Sequence, residues 1–424
     1  MKKTLWICLL FALAGCTNTD KKEKLLTPAK HKIEKLNFFM EVSGSMAGYL
    51  NGSTDFVKTI PNLLVAIEQK MDSGTLKIYN YYIADTALLF KGTTEDFIYS
   101  IATKHPAREK SSEMHKIFQM IADRTDSNDI SMFVSDCILS YNDEDIRANR
   151  EINREKAEGG LKPFITSTFS KLQKKNDMCA SVYGFNSSFD GTYYTYQNGK
   201  LPIKKGSVIR PYYLWVIGNK ELLKKFNAQL QKLEPFKHNK VAMDFGIFDK
   251  PVTDYTIFFR YKKSGEWQPE HNKLTDAKLS KSHPAIIAIG ADLSALPLYA
   301  QDTGYLKKNL KLDKSNLDFH VVSILVPENI NKADLKKNEL DALAKSSHIF
   351  IVEVSDLYKS NTEIKISLPL QYDTSYHNIS IMDDRDIKDI SGKTFAFEHL
   401  VDGVRAAYQN PNQDFITIAI PIKK

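Results

Sequence analysis

The sequence predicts an α/β fold: a mostly parallel sheet covered by helices over residues 36–235, followed by a β-rich C-terminal domain over 236–424. Three observations carry this. From residue 36, strand-length apolar runs alternate with segments of helical period. Beyond residue 236, short β-type runs recur without regular helices between them. The 424 residues, 42% hydrophobic and 26% charged, have an ordinary globular composition and suffice for two or three domains.

Taken in order, residues 36–41 (LNFFME) form a buried strand. Residues 55–70 place Val57, Ile60, Leu63, Leu64 and Ile67 at helical spacing. Residues 76–84 form a strand, with 87–90 as its antiparallel neighbour. Thr94 opens a helix to Thr103, with Glu95 and Asp96 in its first turn. Ser112 opens another, carrying Ile117, Phe118, Met120 and Ile121. A strand over 130–135 ends at Asp136. A helix over 160–175, a strand over 179–185, a last strand over 211–218 and a helix over 219–233 capped by Asn219 complete the pattern. Such a sheet is covered on both faces and binds ligands beyond the carboxyl ends of its strands.

Two segments depart from the rhythm. Residues 141–158 (YNDEDIRANREINREKAE) are densely charged and read as a solvated loop or frayed helix, or as a mobile cover over the binding edge. Residues 183–196 (YGFNSSFDGTYYTY) read as a strand and a Gly-turn hairpin whose aromatics pack. In the distal half, runs at 241–248, 255–261, 285–293, 319–326, 348–354, 364–370, 378–382 and 415–422 suit a sandwich, with helical pieces near 335–344 and 392–408. The acidic cluster Asp383–Asp386 reads as a turn between strands.

The N-terminus reads as an address. Lys2 and Lys3 precede an apolar core, Leu5 to Leu13, too short to span a bilayer as a helix. Residues 1–15 are therefore expected to be a signal peptide, and the polar, Lys-rich residues 16–35 a flexible tether. Leu13-Ala14-Gly15-Cys16 resembles a bacterial lipobox, which implies cleavage before Cys16 and acylation of that cysteine. Several acyl chains at ~0.8 kcal/mol per buried CH₂ make a durable anchor. By the sorting rule of enteric bacteria, Thr17 after the cysteine favours the outer membrane, with the periplasmic or surface face left open. Cys137 and Cys179 are expected to be free and buried, because they lie at opposite strand ends, beyond the ~7 Å reach of a disulfide.

The most informative stretch is Phe38-Phe39-Met40-Glu41-Val42-Ser43-Gly44-Ser45. An apolar run stops at a carboxylate, and serines follow at alternate positions. Positions 41, 43 and 45 of an extended segment point the same way. It resembles the first metal-binding segment of a von Willebrand factor type A (vWA) domain, Asp-x-Ser-x-Ser, with glutamate at the first position. Ser112, or its neighbour Ser111, stands where that family carries a threonine. Phe133-Val134-Ser135-Asp136 resembles the family's apolar strand ending in a metal-proximal aspartate. The resemblance covers about residues 36–235 and implies a Rossmann-like vWA domain. It also implies a metal site of Glu41, Ser43, Ser45, Ser112 and Asp136 around Mg²⁺ or Ca²⁺, cations that take oxygen ligands. As in integrin-type I domains, an acidic side chain of a protein partner would complete the shell. Two departures bear on this. Glu41, a methylene longer than aspartate, can bind the cation directly, bind through water, or only hydrogen-bond the serines. Cys137 follows Asp136 where the family has a glycine that permits a tight turn.

Several function classes find no support. A net charge of +7, scattered along the chain, does not argue for nucleic acid. His-x-x-x-His, His-Glu-x-x-His, Cys-x-x-Cys, Gly-x-Ser-x-Gly and the P-loop motif do not occur. A metal-dependent hydrolase would need a general base beside the cation, and none stands out. The expectation is a non-enzymatic, lipid-anchored envelope protein that engages a protein partner and meets the membrane through its lipid alone. The alternative is a structural envelope lipoprotein with a degenerate, metal-free site. Taken singly, Ser43, Ser45 and Asp136 are commoner as turn caps than as ligands.

Overall fold

The computed structural model describes residues 32–71, 76–248 and 250–424. The stretches expected to be a signal peptide and, for the most part, a tether lie outside the described residues, as does Cys16.

Among the described residues up to 248 the strands are β1 (Lys35–Glu41), β2 (Lys77–Ile83), β3 (Ala87–Leu89), β4 (Asp129–Ser135), β5 (Met178–Ser188), β6 (Gly191–Tyr194), β7 (Lys200–Ile203), β8 (Ile209–Asn219) and β9 (Val241–Phe245), of which β7 falls on no run read from the sequence and β9 on the first run of the distal half. Seven of them form one sheet in the order β3-β2-β1-β4-β8-β5-β9. β1 pairs in parallel with β2 and β4, and β3 antiparallel to β2. β8 runs antiparallel between β4 and β5, and β9 antiparallel to β5. The sheet is therefore mixed, not mostly parallel. The reason is the connection from β5 to β8. It consists of the β6–β7 hairpin and carries no crossover helix, so the chain re-enters beside β5 in the opposite direction. That hairpin turns at residues 195–199, at the end of the stretch 183–196 expected to hold a strand and a Gly-turn hairpin, and Gly191 opens its first strand.

Among the described residues, eight α-helices accompany these strands: α1 (Ala47–Leu50), α2 (Asp55–Met71), α3 (Thr94–Thr103), α4 (Met114–Ala122), α5 (Asp143–Ala148), α6 (Ile152–Lys156), α7 (Lys162–Asn176) and α8 (Lys220–Leu230). Alternation along β8 assigns them to faces. Trp215 meets Phe118 of α4 and Phe169 of α7 on one face, whereas Tyr212 meets Phe56 of α2 on the other. α3 joins the second face through Phe97 on Phe38, and α8 through Asn227, which donates to Ser181. Both faces are thus covered. Capping follows the side chains that can reach: Thr93 and Asp96 form a capping box on α3, and Asn219 accepts from Glu221 N–H on α8. Ser112 does not cap α4, whose N-cap is Glu113. The charged stretch 141–158 is a docked helical segment, not a solvated loop. Buried Asn153 accepts from Tyr141 N–H and donates to the Tyr196 carbonyl.

Farther along come β10 (Thr256–Phe258), β11 (Glu266–Glu270), β12 (Lys273–Lys278), β13 (Ala285–Ala291), α9 (Leu298–Gln301), α10 (Thr303–Asn309), β14 (Lys311–Asp313), β15 (Leu317–Leu325), α11 (Lys337–Ala344), β16 (His348–Leu357) and β17 (Asn361–Pro369). A short pair, β18 (Ser380–Ile381) and β19 (Thr394–Phe395), then precedes α12 (Phe397–Tyr408) and β20 (Asp414–Lys423). Two sheets, β10-β13-β16-β15 and β11-β12-β20-β17-β14, enclose one core that includes Trp267, Phe350, Val352, Ile366 and Ile418.

The chain does not exchange one core for the other at residue 236. β9 still belongs to the first sheet, and residues 376–408 pack back into the first core, between β17 and β20 of the second. α12 lies on α7, and its Phe397 stacks on Tyr213 at 3.9 Å between ring centroids. Gly403 permits this approach: a Cβ there would lie 2.7 Å from Ile165 and 2.8 Å from the Lys162 carbonyl oxygen.

Candidate metal site and adjoining pocket

The carboxyl ends of β1 and β4 and the start of β8 meet at one edge of the first sheet. The loop over residues 107–112 is stitched across it. Arg108 and Glu109 N–H donate to the Val42 carbonyl at 2.8 and 3.0 Å, and Gly44 N–H donates to the Glu109 carbonyl at 2.8 Å. Ser112 and Ser140 exchange both backbone hydrogen bonds, at 2.9 and 3.1 Å. Backbone pairing therefore holds the three predicted segments together.

Their side chains converge. Glu41 is fully buried at the end of β1. Ser43 Oγ donates to its Oε1 and Ser135 Oγ to its Oε2. Ser112, also in reach of Glu41, donates to the Ile138 carbonyl at 2.6 Å. Ser43 and Ser45 hydroxyls lie 3.0 Å apart, and Ser45 reaches Asp136. Buried Asp136 accepts from Ile138 N–H at 3.1 Å. Ser43 makes no side-chain cap bond to the turn that follows, so its hydroxyl serves the carboxylate. Asp136 does cap locally while also facing the cluster. Ser111 is committed elsewhere, to Asp85. Ser135, named within the motif but not as a site residue, joins the set.

The electrostatics suit a cation. Burial, and then the negative charge of Asp136, push the Glu41 carboxyl up to about 8 against the lowering effect of its serine donors. Burial also raises Asp136, while Ile138 N–H, Ser45 and the charge of Arg210 oppose it. Two buried carboxylates ringed by hydroxyls form an all-oxygen donor set, which fits Mg²⁺ or Ca²⁺ in chemistry. It contains two acids only: among the described residues, no group of three or more His, Cys, Asp or Glu side chains gathers as a metal set.

Cys137 stands where the resemblance would place a glycine. Its φ is +57°, the left-handed conformation a glycine would supply freely. Its buried thiol accepts from Trp215 Nε1 at 3.3 Å, which holds the turn in place. Cys137 and Cys179 are both free and buried. Because an L-residue in this conformation is strained, Cys137→Gly is expected to be about 1 kcal/mol more stable than Cys137→Ala. Denaturant midpoints of the two variants check this; an Ala variant equal to Gly would deny strain at the turn.

Arg210 gave no functional signal in the sequence. It opens β8 fully buried, over the Tyr193 ring at 4.5 Å. Its Nη1 donates to the Ile390 carbonyl and, at 2.6 Å, to that of Lys393. Its charge favours ionisation of Asp136 and Asp384. Asp384, from the acidic cluster between β18 and β19, accepts from Tyr193 Oη at 2.6 Å and Tyr196 N–H at 2.9 Å. The segment from the distal half is therefore bonded to the β6–β7 hairpin.

That hairpin walls a pocket of about 370 Å³ above the serines. Ser43, Ser45 and Ser112 line its base, and Tyr194, Asn198 and Lys200 one side. The aromatics of this hairpin divide: Tyr193 packs in the core and Tyr194 faces the pocket. No helix among the described residues is long and apolar enough to cross a membrane. Comparison with known protein families, curated proteins and solved structures finds no match.

Proposed function

We propose that this chain is a lipid-anchored envelope protein that binds a protein partner at the carboxyl edge of a vWA-like domain, with a divalent cation held there. The observation that supports the reading best is the convergence of Glu41, Ser43, Ser45, Ser112 and Asp136 in one cluster that opens toward a pocket. In this reading Asp136 and the serines hold Mg²⁺ or Ca²⁺, and Glu41 orients Ser43 and Ser135. When bound, the cation supplies positive charge for an acidic group of the partner. The two sheets of the distal half extend the platform as a sandwich-type domain, and Cys16 carries the lipid.

One observation favours a second reading, a structural lipoprotein with a metal-free site. Both Glu41 oxygens already accept serine hydroxyls. Partner capture separates the two. The full chain is used as bait against envelope proteins, with Mg²⁺ or with EDTA. A partner lost with EDTA and lost in Asp136→Ala is expected under the first reading. A partner retained in both conditions belongs to the second.

A further inference from the structure

The walls of the pocket carry a charge pattern that the serine cluster does not explain. Arg108 and Lys110 stand on the loop over residues 107–112, and Lys200 on the hairpin. All three are exposed, and among the described residues none lies within ion-pair distance of a carboxylate. Two acids share the wall, Glu109 and Asp143. Asp143 is engaged, accepting from Asn198 Nδ2 at 3.0 Å in the first turn of α5. Glu41 and Asp136 lie beneath the floor. An anion entering this pocket therefore meets cations from two separate elements of its lining. It also meets the buried Glu41–Asp136 pair below, whose negative charge a bound divalent cation would offset.

We propose that the pocket is the docking site for an acidic peptide segment of a protein partner, read by Arg108, Lys110 and Lys200. This rests on the partner-binding reading above and names the partner's chemistry. The volume falls within the ~300–1,000 Å³ typical of ligand pockets, so it admits side chains of a segment and not a folded surface. The three basic side chains sit on two separate elements. They therefore suit successive carboxylates along an extended chain better than a single compact anion. Exposed charges act through encounter and orientation and are screened by salt.

The test uses labelled hexaglutamate and hexaglutamine with the full chain in mild detergent and Mg²⁺, read by fluorescence anisotropy. Hexaglutamate is expected to bind and hexaglutamine not. The double variant Lys110→Glu/Lys200→Glu is expected to weaken hexaglutamate about tenfold or more, with Lys110→Gln/Lys200→Gln intermediate. Lys307→Glu, on α10, is expected to leave binding unchanged. Circular dichroism confirms that each variant is folded. Equal binding of the two peptides, or an equal loss in Lys307→Glu, would overturn the inference. So would displacement by inorganic phosphate at concentrations too low to alter ionic strength, since the pocket would then be a phosphate site. The cation reading fails separately. Binding that survives EDTA and Asp136→Ala but is lost in the charge-reversed double variant keeps the acidic-peptide inference and removes the cation. Binding lost in Asp136→Ala but untouched by that double variant does the reverse.

Discussion

Arg210→Met is expected to destabilise the protein by roughly 3–5 kcal/mol, the usual scale for removing one partner from a buried charged network. The substitution removes the buried donor to the Ile390 and Lys393 carbonyls; Ile390 keeps its bond from Lys393 N–H at 3.2 Å, while the half-buried Lys393 carbonyl loses its guanidinium donor. It also leaves Asp136 and Asp384 without the positive charge that favours their ionised forms. Methionine matches the length of the stem but offers neither donor nor charge. Asp384→Asn in the same background is expected to recover part of the loss, because one uncompensated carboxylate is then removed. Urea titration measures both. A single-variant loss below about 1 kcal/mol would show that Arg210 does not hold the distal segment against the hairpin.

Trp215→Ala is expected to cost a similar ~3–5 kcal/mol, as large-to-small changes of fully buried aromatics do. Trp215 is fully buried in β8, packed by Phe118 at 5.0 Å and Phe169 at 6.4 Å between ring centroids. Its loss opens a cavity between the sheet and the α4–α7 layer. It also removes the indole donor to Cys137, which holds the left-handed turn after Asp136. Trp267→Ala, in the other core, is the matched control. Both variants are expected to lose stability, but only Trp215→Ala to lose the response to cations. An unchanged response in Trp215→Ala would separate the Cys137 turn from the site.

What could be read from the sequence divides along physical lines. Apolar runs and helical spacing placed β1, β4, α2 and α8 within a few residues, because burial on a face fixes those periods. The same runs are silent on direction. β8 is apolar whether it lies parallel or antiparallel to β4, and only the short β6–β7 connection decides. Apolar spacing in α12 likewise shows a buried stripe but not that α7 buries it. In the candidate site, the nearness of Glu41, Ser43 and Ser45 was legible because they are close neighbours in sequence at the end of β1, although Ser45 sits in a 3-10 turn and not in an extended segment. Asp136 was legible because the apolar run of β4 stops there. Arg210 was not, since its partners Ile390 and Lys393 lie 180 and 183 residues away. Nor was the pocket wall at Lys200, which depends on where the hairpin turns.

The central claim is that the Glu41–Asp136 cluster takes a divalent cation. It is tested most directly by the melting temperature of the chain from residue 32 onward. The scan covers EDTA, Mg²⁺, Ca²⁺ and Mn²⁺, for the native sequence and for Asp136→Ala. A cation that binds only the folded state adds about 2.7 kcal/mol at a hundredfold excess over its Kd. The account predicts a cation-specific rise in melting temperature that is absent from Asp136→Ala. A flat response in the native sequence, or an equal rise in both proteins, would contradict it.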